Sequence, residues 1–156
     1  MLLRAEEKDI ATYADLAYAC ALQGSTSSYP SYADGIKTKA DFLTAAHRAV
    51  QAQTEELLLF SENGRVLGWL SYEWIAQDKY LALQSCNLCG NTAQALAELA
   101  GRLRERFPGY AAYFGFPEEN REAVSFLREN GFALIERSQN HSFFFQKHPP
   151  APFSDP

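Results

Sequence analysis

The sequence has few of the features on which membrane, nucleic-acid-binding and disulfide-rich proteins depend. Its apolar runs are short, and none approaches the roughly 20 residues of a membrane-spanning helix. Its 14 basic residues form no cluster and are outnumbered by 19 acidic ones, which gives a net charge of −5. No nucleic acid and no membrane is therefore expected as a partner.

Cysteine is also scarce, and the first residues lack an apolar stretch. Three cysteines are too few, and odd in number, for a disulfide framework, so reduced thiols are expected. Charges follow the first residues at once, whereas a secretory signal continues into an apolar segment. These features predict a cytoplasmic protein.

The composition is typical of one globular domain. The 156 residues are 47% hydrophobic and 21% charged, a balance that suits a buried core of ordinary size. We expect a single domain over residues 1–147. Residues 148–156 hold four prolines and are predicted to form a disordered tail.

The first third of the chain predicts one strand and two helices. Residues 2–5 are strand-like. Asp9 can cap a helix that runs to residue 23, and Thr38 can cap a second helix. A turn-rich loop over residues 24–35 separates the two.

The middle of the chain predicts an antiparallel meander. Asn63–Gly64 is a strong hairpin signal between two apolar runs. A second polar turn follows, and a third strand begins at Tyr80. Asn91 can then cap a helix, with Gln94 as its reciprocal partner.

Strands and helices alternate in the last third. Residues 110–116 predict a strand, residues 120–130 a short helix, and residues 132–138 and 142–146 a final hairpin. The succession of strand, helix and strand favours a parallel pair around the middle helix. The predicted fold class is α/β, mixed α+β, with a central, mostly antiparallel sheet and helices on both faces.

The last predicted helix carries a recognisable pattern. Asn120 and Ala123 begin an amphipathic stretch that Gly131 closes, and Phe132 starts the next strand. With the order of elements, this pattern resembles the GNAT superfamily of acetyl-CoA-dependent N-acyltransferases. The resemblance covers nearly the whole chain and implies the GNAT-type acyl-CoA N-acyltransferase fold. It suggests coenzyme A contacts from Asn120 and Phe126, whose other interpretations are a helix cap and a core aromatic.

A second GNAT signature is the loop before the third helix, whose backbone N–H groups hold the pyrophosphate of coenzyme A. Free N–H donors and the partial positive charge of a helix N-terminus attract anions. The corresponding segment here keeps one glycine and has no Arg or Lys in or beside it. The resemblance implies cofactor contacts from Asn87, Cys89, Gly90, Asn91 and Thr92.

The residues for acid and base chemistry are less distinct. The tyrosine that protonates the departing thiolate in many GNAT members falls on Leu127, which has no proton donor. Tyr113 or Ser125 could replace it. Glu73, near the end of the third predicted strand, could accept the proton of the substrate ammonium. Its other interpretation is a solvent-facing glutamate.

Cys86 and Cys89 form a Cys-x-x-Cys pair. A zinc site would need two further ligands, and His47, His141 and His148 are scattered along the chain. We therefore expect no metal. Burial as small apolar residues at a strand end is the favoured interpretation of both thiols.

The expected function is transfer of an acetyl group from acetyl-CoA, as co-substrate, to a primary amine. The acceptor would be a small molecule or peptide, and the protein a monomer or homodimer. The resemblance implies direct attack by the amine, with a backbone N–H near Ser85 stabilising the oxyanion, and Tyr29 and Tyr32 could line the acceptor pocket. An alternative is a GNAT-like domain that binds a ligand or partner without acyl transfer. A redox or metal protein is a third possibility.

Overall fold

The computed structural model describes residues 1–28, 38–137 and 142–148. The predictions for Tyr29, Tyr32 and, apart from His148, the tail over residues 148–156 lie outside these described residues. The described elements, in chain order, are β1 (Leu2–Arg4), α1 (Glu7–Ala21), α2 (Lys39–Gln51), β2 (Glu55–Glu62), β3 (Arg65–Ile75), β4 (Tyr80–Leu88), α3 (Thr92–Arg106), β5 (Ala111–Pro117), α4 (Arg121–Glu129), β6 (Ala133–Arg137) and β7 (Ser142–Lys147). Short 3₁₀ turns lie at Gly24–Thr26 and Ala76–Asp78.

The seven strands form one sheet in the order β1-β2-β3-β4-β5-β7-β6. Every neighbouring pair is antiparallel except β4 and β5, which run parallel with α3 as their crossover. The predicted mixed, mostly antiparallel sheet is confirmed. The last strand of the chain, β7, lies between β5 and β6 in the sheet and pairs with both.

Helices cover both faces of the sheet, as the sequence predicts. Alternate side chains of a strand point to opposite faces, and on β2 they enter two separate cores. Leu57 and Leu59 pack with α1 and α2, whereas Leu58 and Phe60 pack with α3 and α4. The α1/α2 face and the α3/α4 face are therefore distinct surfaces of one sheet.

Two glycines in the meander have positive φ angles that other residues rarely adopt. Asn63 and Gly64 both have positive φ, 51° and 77°, as a tight hairpin of the favoured twist requires. Gly68 has φ 143°, and a Cβ there would lie 2.0 Å from the carbonyl oxygen of Asn87. A side chain at Gly68 would thus push β3 and β4 apart.

Two predicted helix starts are corrected. Helix α1 begins earlier than expected, because Glu6 is its N-cap and Asp9 returns a carboxylate to the Glu6 N–H at 2.8 Å. Asn91 precedes α3 but has φ 55°, and its side chain makes no capping hydrogen bond. In contrast, Thr38 caps α2 as predicted, by accepting from the N–H of Asp41 at 3.1 Å.

A partly buried ionic cluster, in which Glu56 is buried and Arg106 is exposed, ties α3 to β2 and β3. Glu56, only 5% exposed, accepts from the Tyr72 hydroxyl at 2.9 Å and from Arg106 at 3.0 Å. Arg106 also donates to the Tyr72 oxygen at 3.0 Å and lies over the Trp74 ring. Burial, followed by the adjacent Glu56, raises the pKa of Tyr72 to about 12, so its hydroxyl stays protonated.

Candidate active site

The sheet separates between its two parallel strands. β4 and β5 pair over only three positions, from Tyr80 opposite Ala111 to Ala82 opposite Tyr113. The remaining length of each strand, up to Leu88 and Pro117, lies outside this ladder, and α3 begins just beyond the end of β4. Backbone groups on the inner edge of β4 are thereby released from sheet pairing.

A β-bulge lies in β4 next to this opening. Ser71 pairs with Ser85, but Tyr72 pairs with Leu83, so Gln84 is the extra residue on β4. Bulges of this kind bend a strand and redirect its backbone groups. The Ser85 hydroxyl is 2.7 Å from that of Ser71, which fixes it on the α1/α2 face.

One backbone N–H of β4, in the part of the strand that does not pair with β5, already has an intramolecular partner. The N–H of Cys86 donates to the hydroxyl oxygen of Ser28 at 2.7 Å, and Ser28 is only 1% exposed. The segment after α1 therefore enters the opening between β4 and β5.

Asn120 holds this segment from the other side. Its Oδ1 accepts from the N–H of Ala123 at 3.3 Å, which caps α4, and its Nδ2 donates to the Ser27 carbonyl at 2.9 Å. Asn120 is 1% exposed. The helix-cap interpretation of Asn120 is thus realised here, together with a second bond that its sequence position did not reveal.

The start of α3 also carries an intramolecular partner. The N–H of Ala93 donates to a carboxylate oxygen of Glu122, from α4, at 3.1 Å. A carboxylate at a helix N-terminus is electrostatically favourable. Beside it, a Cβ on Gly90 would have no neighbour within 4 Å, so the loop before α3 is open at this point.

Both residues expected to handle protons lie on the α1/α2 face. Glu73 and Tyr113 each pair with Ala82 of β4, from opposite sides, so the three side chains share one row. Strand spacing of about 4.8 Å puts Glu73 and Tyr113 roughly 10 Å apart along that row. Tyr113 stacks on Phe144 with ring centroids 5.8 Å apart.

The same row contains a carboxylate that sequence reasoning missed. Glu55 lies opposite Glu73 and is 5% exposed. Burial raises the pKa of Glu55, Arg48 at 3.5 Å opposes this rise, and the charge of Glu73 adds to it. A glutamate beginning an apolar strand was the available signal, but sequence cannot show which face of the strand is covered.

A pocket of about 430 Å³ opens on this face. Gln84 and Ser85 of the bulge line it, together with Glu55 of β2. Asp41 and Arg48 of α2 also line it. The pocket therefore brings a buried carboxylate to the bulged strand, which suits recognition of a polar or cationic group.

Leu127, at the position that the resemblance gives to the GNAT tyrosine, faces the core. Leu127 is fully buried among the apolar residues of the α3/α4 face, and Phe126 packs against the same core while partly exposed. The core-aromatic interpretation of Phe126 fits this packing. Leu127 is a packing residue with no access to the opening.

The cysteines differ in exposure. Cys86 is buried as expected, but Cys89 is exposed, which corrects the prediction that both thiols are buried. Burial raises the pKa of Cys86 to about 12 and that of Cys20 to about 11. Within the described ranges, no group of three or more His, Cys, Asp or Glu side chains could hold a metal ion.

Asn87 and Thr92 are buried at the two ends of the loop, at 4% and 3% exposure. Cys89 donates its backbone N–H to the Leu67 carbonyl at 2.8 Å. The loop before α3 is therefore anchored at its ends and open in its middle.

Among the helices that the structure describes, none is long and apolar enough to span a membrane.

Comparison with known proteins identifies the class of fold. No protein-family model matches the sequence, and no curated protein matches it. Solved structures match over nearly the whole chain. PaiA N-acetyltransferase from Thermoplasma acidophilum, in complex with coenzyme A, is 17% identical, with a TM-score of 0.64 and coverage of 95% of this chain and 98% of that one.

Two further matches agree. The ribosomal-protein α-N-acetyltransferase RimL, in complex with coenzyme A, is 15% identical with a TM-score of 0.72, covering 97% of this chain and 94% of RimL. Spermidine N-acetyltransferase SpeG from Vibrio cholerae is 13% identical with a TM-score of 0.63, covering 95% and 94%. The chain has the fold of the GNAT N-acetyltransferases.

Proposed function

We propose that the protein transfers an acetyl group from acetyl-CoA to a primary amine of a small molecule or peptide. The separation of β4 from β5 after Ala82, with the bulge at Gln84 beside the pocket, carries this proposal. A thioester lying there would meet backbone N–H groups of β4, and a pyrophosphate would meet the N-terminus of α3. PaiA and RimL, which share the fold, were each obtained with coenzyme A.

In the proposed reaction the neutral amine attacks the thioester carbonyl directly. A C–N bond forms, the C–S bond breaks, and coenzyme A departs as a thiolate. A backbone N–H near Ser85 would stabilise the negative charge that develops on the carbonyl oxygen. A thiol has a pKa of about 8.5, so the thiolate can leave without a strong acid, and Tyr113 is our proposed donor of its proton.

The substrate ammonium must lose one proton to become the neutral amine that attacks, and the nitrogen releases a second proton as the amide forms. Glu73, the base predicted from sequence, and Glu55 lie side by side in one row, and either can receive the first proton directly or through water. Glu55 lines the pocket. Burial raises the pKa of Glu55, which makes its carboxylate a better proton acceptor.

The proposed pyrophosphate site is the segment from Cys89 to Ala93. The N–H of Cys89 itself donates to Leu67, so the backbone N–H groups that follow it would bind the anion, with Gly90 leaving space for its approach. Asn87, Asn91 and Thr92 would support the segment, and Asn120 and Phe126 would lie along the pantetheine arm. The chemistry of acyl activation belongs to the thioester itself, and the protein would orient it.

A second candidate function is a GNAT-like binding module without acyl transfer. Specific contacts favour it: Ser28 occupies the N–H of Cys86, and Glu122 occupies the N–H of Ala93. Leu127, buried where a tyrosine acid would stand, agrees with it.

Thermal melting with and without acetyl-CoA tests the first function against the second. We expect acetyl-CoA to raise the melting temperature, because a ligand that binds only the folded state stabilises it. Release of free thiol over a panel of small and peptide amines should then identify an acceptor. A melting temperature unchanged at millimolar cofactor would refute the acetyltransferase proposal, and a rise without thiol release from any amine would favour the binding module.

The location and oligomeric state are proposed from the composition, and the kind of acceptor from the pocket. A cytoplasmic monomer or homodimer without nucleic acid as a partner fits the acidic net charge of −5. The acceptor is proposed to carry a cationic amine, since the pocket holds two carboxylates, Asp41 and Glu55, against one guanidinium, Arg48.

A further inference from the structure

The described part of the chain places two of its own side chains on the groups that would bind the acyl donor. We define the strap as residues 24–28, which follow α1. Ser28 of the strap accepts from the N–H of Cys86 at 2.7 Å. Glu122 accepts from the N–H of Ala93 at 3.1 Å.

Four of the five residues of the strap make contacts that hold it in place. Thr26 donates its hydroxyl to the carbonyl of Cys20 at 2.7 Å, and Asn120 donates to the carbonyl of Ser27 at 2.9 Å. Gly24 lies so close to Glu119 that a Cβ there would be 2.6 Å from its carboxylate. Ser27 and Ser28 are 2% and 1% exposed. These last two residues of the strap occupy the space between β4 and α4, whereas Ser25 is exposed.

Glu122 complements the strap at the other end of the opening. Its charge contributes to the raised pKa of Cys86, after burial itself and the nearby Cys20. Glu122 is thus close enough to act on the Cys86 thiol of β4 while it accepts from Ala93 at the start of α3. A carboxylate resembles a phosphate in charge and in its acceptor oxygens, so it satisfies the same N–H donors.

We infer that Ser28 and Glu122 are built-in competitors of the acyl donor, so that coenzyme A binds only when Ser28 leaves Cys86 and Glu122 leaves Ala93. This inference rests on the proposed acetyltransferase function. Ser28 takes the place of the thioester arm along β4, and Glu122 takes the place of the pyrophosphate. The apparent affinity for coenzyme A then equals the intrinsic affinity multiplied by the fraction of molecules in which both have withdrawn.

Two substitutions separate the two competitors. Ser28→Ala leaves the buried N–H of Cys86 without its partner, which favours an incoming acceptor; we expect coenzyme A to bind about 2- to 10-fold more tightly. Glu122→Gln keeps the size of the side chain and removes its charge, and we expect binding about 10-fold tighter because charged hydrogen bonds are the stronger ones. Ser25→Ala, at an exposed position of the strap, and Glu129→Gln, at an exposed position of α4, are the matched controls.

Isothermal titration with coenzyme A and with pantetheine, which lacks the pyrophosphate, distinguishes the two sites. Ser28→Ala should strengthen binding of both ligands, whereas Glu122→Gln should strengthen binding of coenzyme A alone. Glu122 is exposed, so this variant is expected to fold even if Ser28→Ala does not.

The outcomes separate this inference from the proposed function. If wild type and both variants bind coenzyme A with equal affinity, the competitor inference is wrong and the acetyltransferase proposal stands. If none of them binds it, although each is folded by circular dichroism, both are wrong. Tighter binding by the variants but not by the two controls supports both.

Discussion

Glu55 and Glu73 lie opposite each other on β2 and β3, and Glu55 is the one withdrawn from water at 5% exposure. Burial raises the pKa of Glu55 above its ordinary value of 4.5. The folded state therefore binds a proton that the unfolded state has released at the same pH. The free energy of unfolding should fall as the pH rises from 4.5 through the folded-state pKa of Glu55.

Glu55→Gln should remove that fall. Below 4.5 the variant and wild type should respond alike to pH, and above it the variant should lose less stability. Urea denaturation over this range measures the difference. Glu105→Gln, at an exposed position of α3, is the control and should follow wild type; a Glu55→Gln curve parallel to wild type would contradict the assigned pKa shift.

The same pair of residues can be separated by kinetics if an acceptor amine is found. We expect Glu55→Gln to reduce kcat/KM about 100-fold if Glu55 takes the proton, in line with general base catalysis. Glu73→Gln should then have a smaller effect. The reverse order would assign the base to Glu73, and equal, small effects would argue against a carboxylate base in this row.

Asn120 should contribute to stability through both of its bonds. Asn120→Ala removes the α4 cap to Ala123 and the bond to the Ser27 carbonyl. We expect a loss of about 2 kcal/mol, the sum of a helix cap and one buried hydrogen bond.

Asn120→Ser tests the division of that loss. Serine also caps helices but is too short to reach Ser27, so it should recover about half of the stability lost in Asn120→Ala. Urea denaturation of the three proteins gives the comparison. Equal stability of the serine and alanine variants would show that the bond to Ser27 dominates.

The Tyr72 hydroxyl should stabilise the fold measurably. Tyr72→Phe keeps the buried ring and removes the hydrogen bonds to Glu56 and Arg106. The expected loss is about 1.5 kcal/mol, because both partners are charged, and it is read from the shift of the urea midpoint at constant slope. Tyr110→Phe, which removes a hydroxyl from a partly exposed ring, should change the midpoint little; a Tyr72→Phe midpoint equal to wild type would contradict this account.

Restoring a tyrosine in the last helix should not restore an acid. Leu127 is fully buried in the α3/α4 core, where extra atoms have no room. Leu127→Tyr is expected to cost about 1–3 kcal/mol without raising thiol release. Leu127→Met conserves volume and should cost less. A stable Leu127→Tyr variant with faster thiol release would place this position at the reacting thioester.

Local patterns predicted the architecture because each strand and turn carries its own signal. Asn63–Gly64 fixes one hairpin, and the cap at Asn120 with the positive φ of Gly131 bounds α4. The contacts of the candidate site could not be predicted in this way. Ser28 reaches Cys86 across 58 residues of chain, and Glu122 reaches Ala93 from another helix. Such bonds depend on which strands separate, and no local pattern reports that.

Asn91 shows the limit of motif matching within one turn. Its type and position predict a side-chain cap for α3, yet Asn91 has a left-handed backbone with φ 55° and its side chain makes no capping bond. The donor at the start of α3 is satisfied by Glu122 instead. A neighbour distant in sequence therefore took the role that the local pattern assigned to Asn91.

Gly90 offers the most direct test of the proposed pyrophosphate site. A side chain at Gly90 would enter open space, and its φ is not positive, so substitutions there should fold normally. Gly90→Glu would bring a negative charge to the N-terminus of α3, where the pyrophosphate is proposed to bind. We expect it to weaken coenzyme A binding about 10-fold, through repulsion between like charges.

Gly90→Gln has nearly the same size without the charge and should bind within about 2-fold of wild type. Titration of both variants with coenzyme A measures the difference, and raising the salt concentration should reduce it because exposed charges are screened. Equal affinities of the folded Glu and Gln variants would move the pyrophosphate away from this loop.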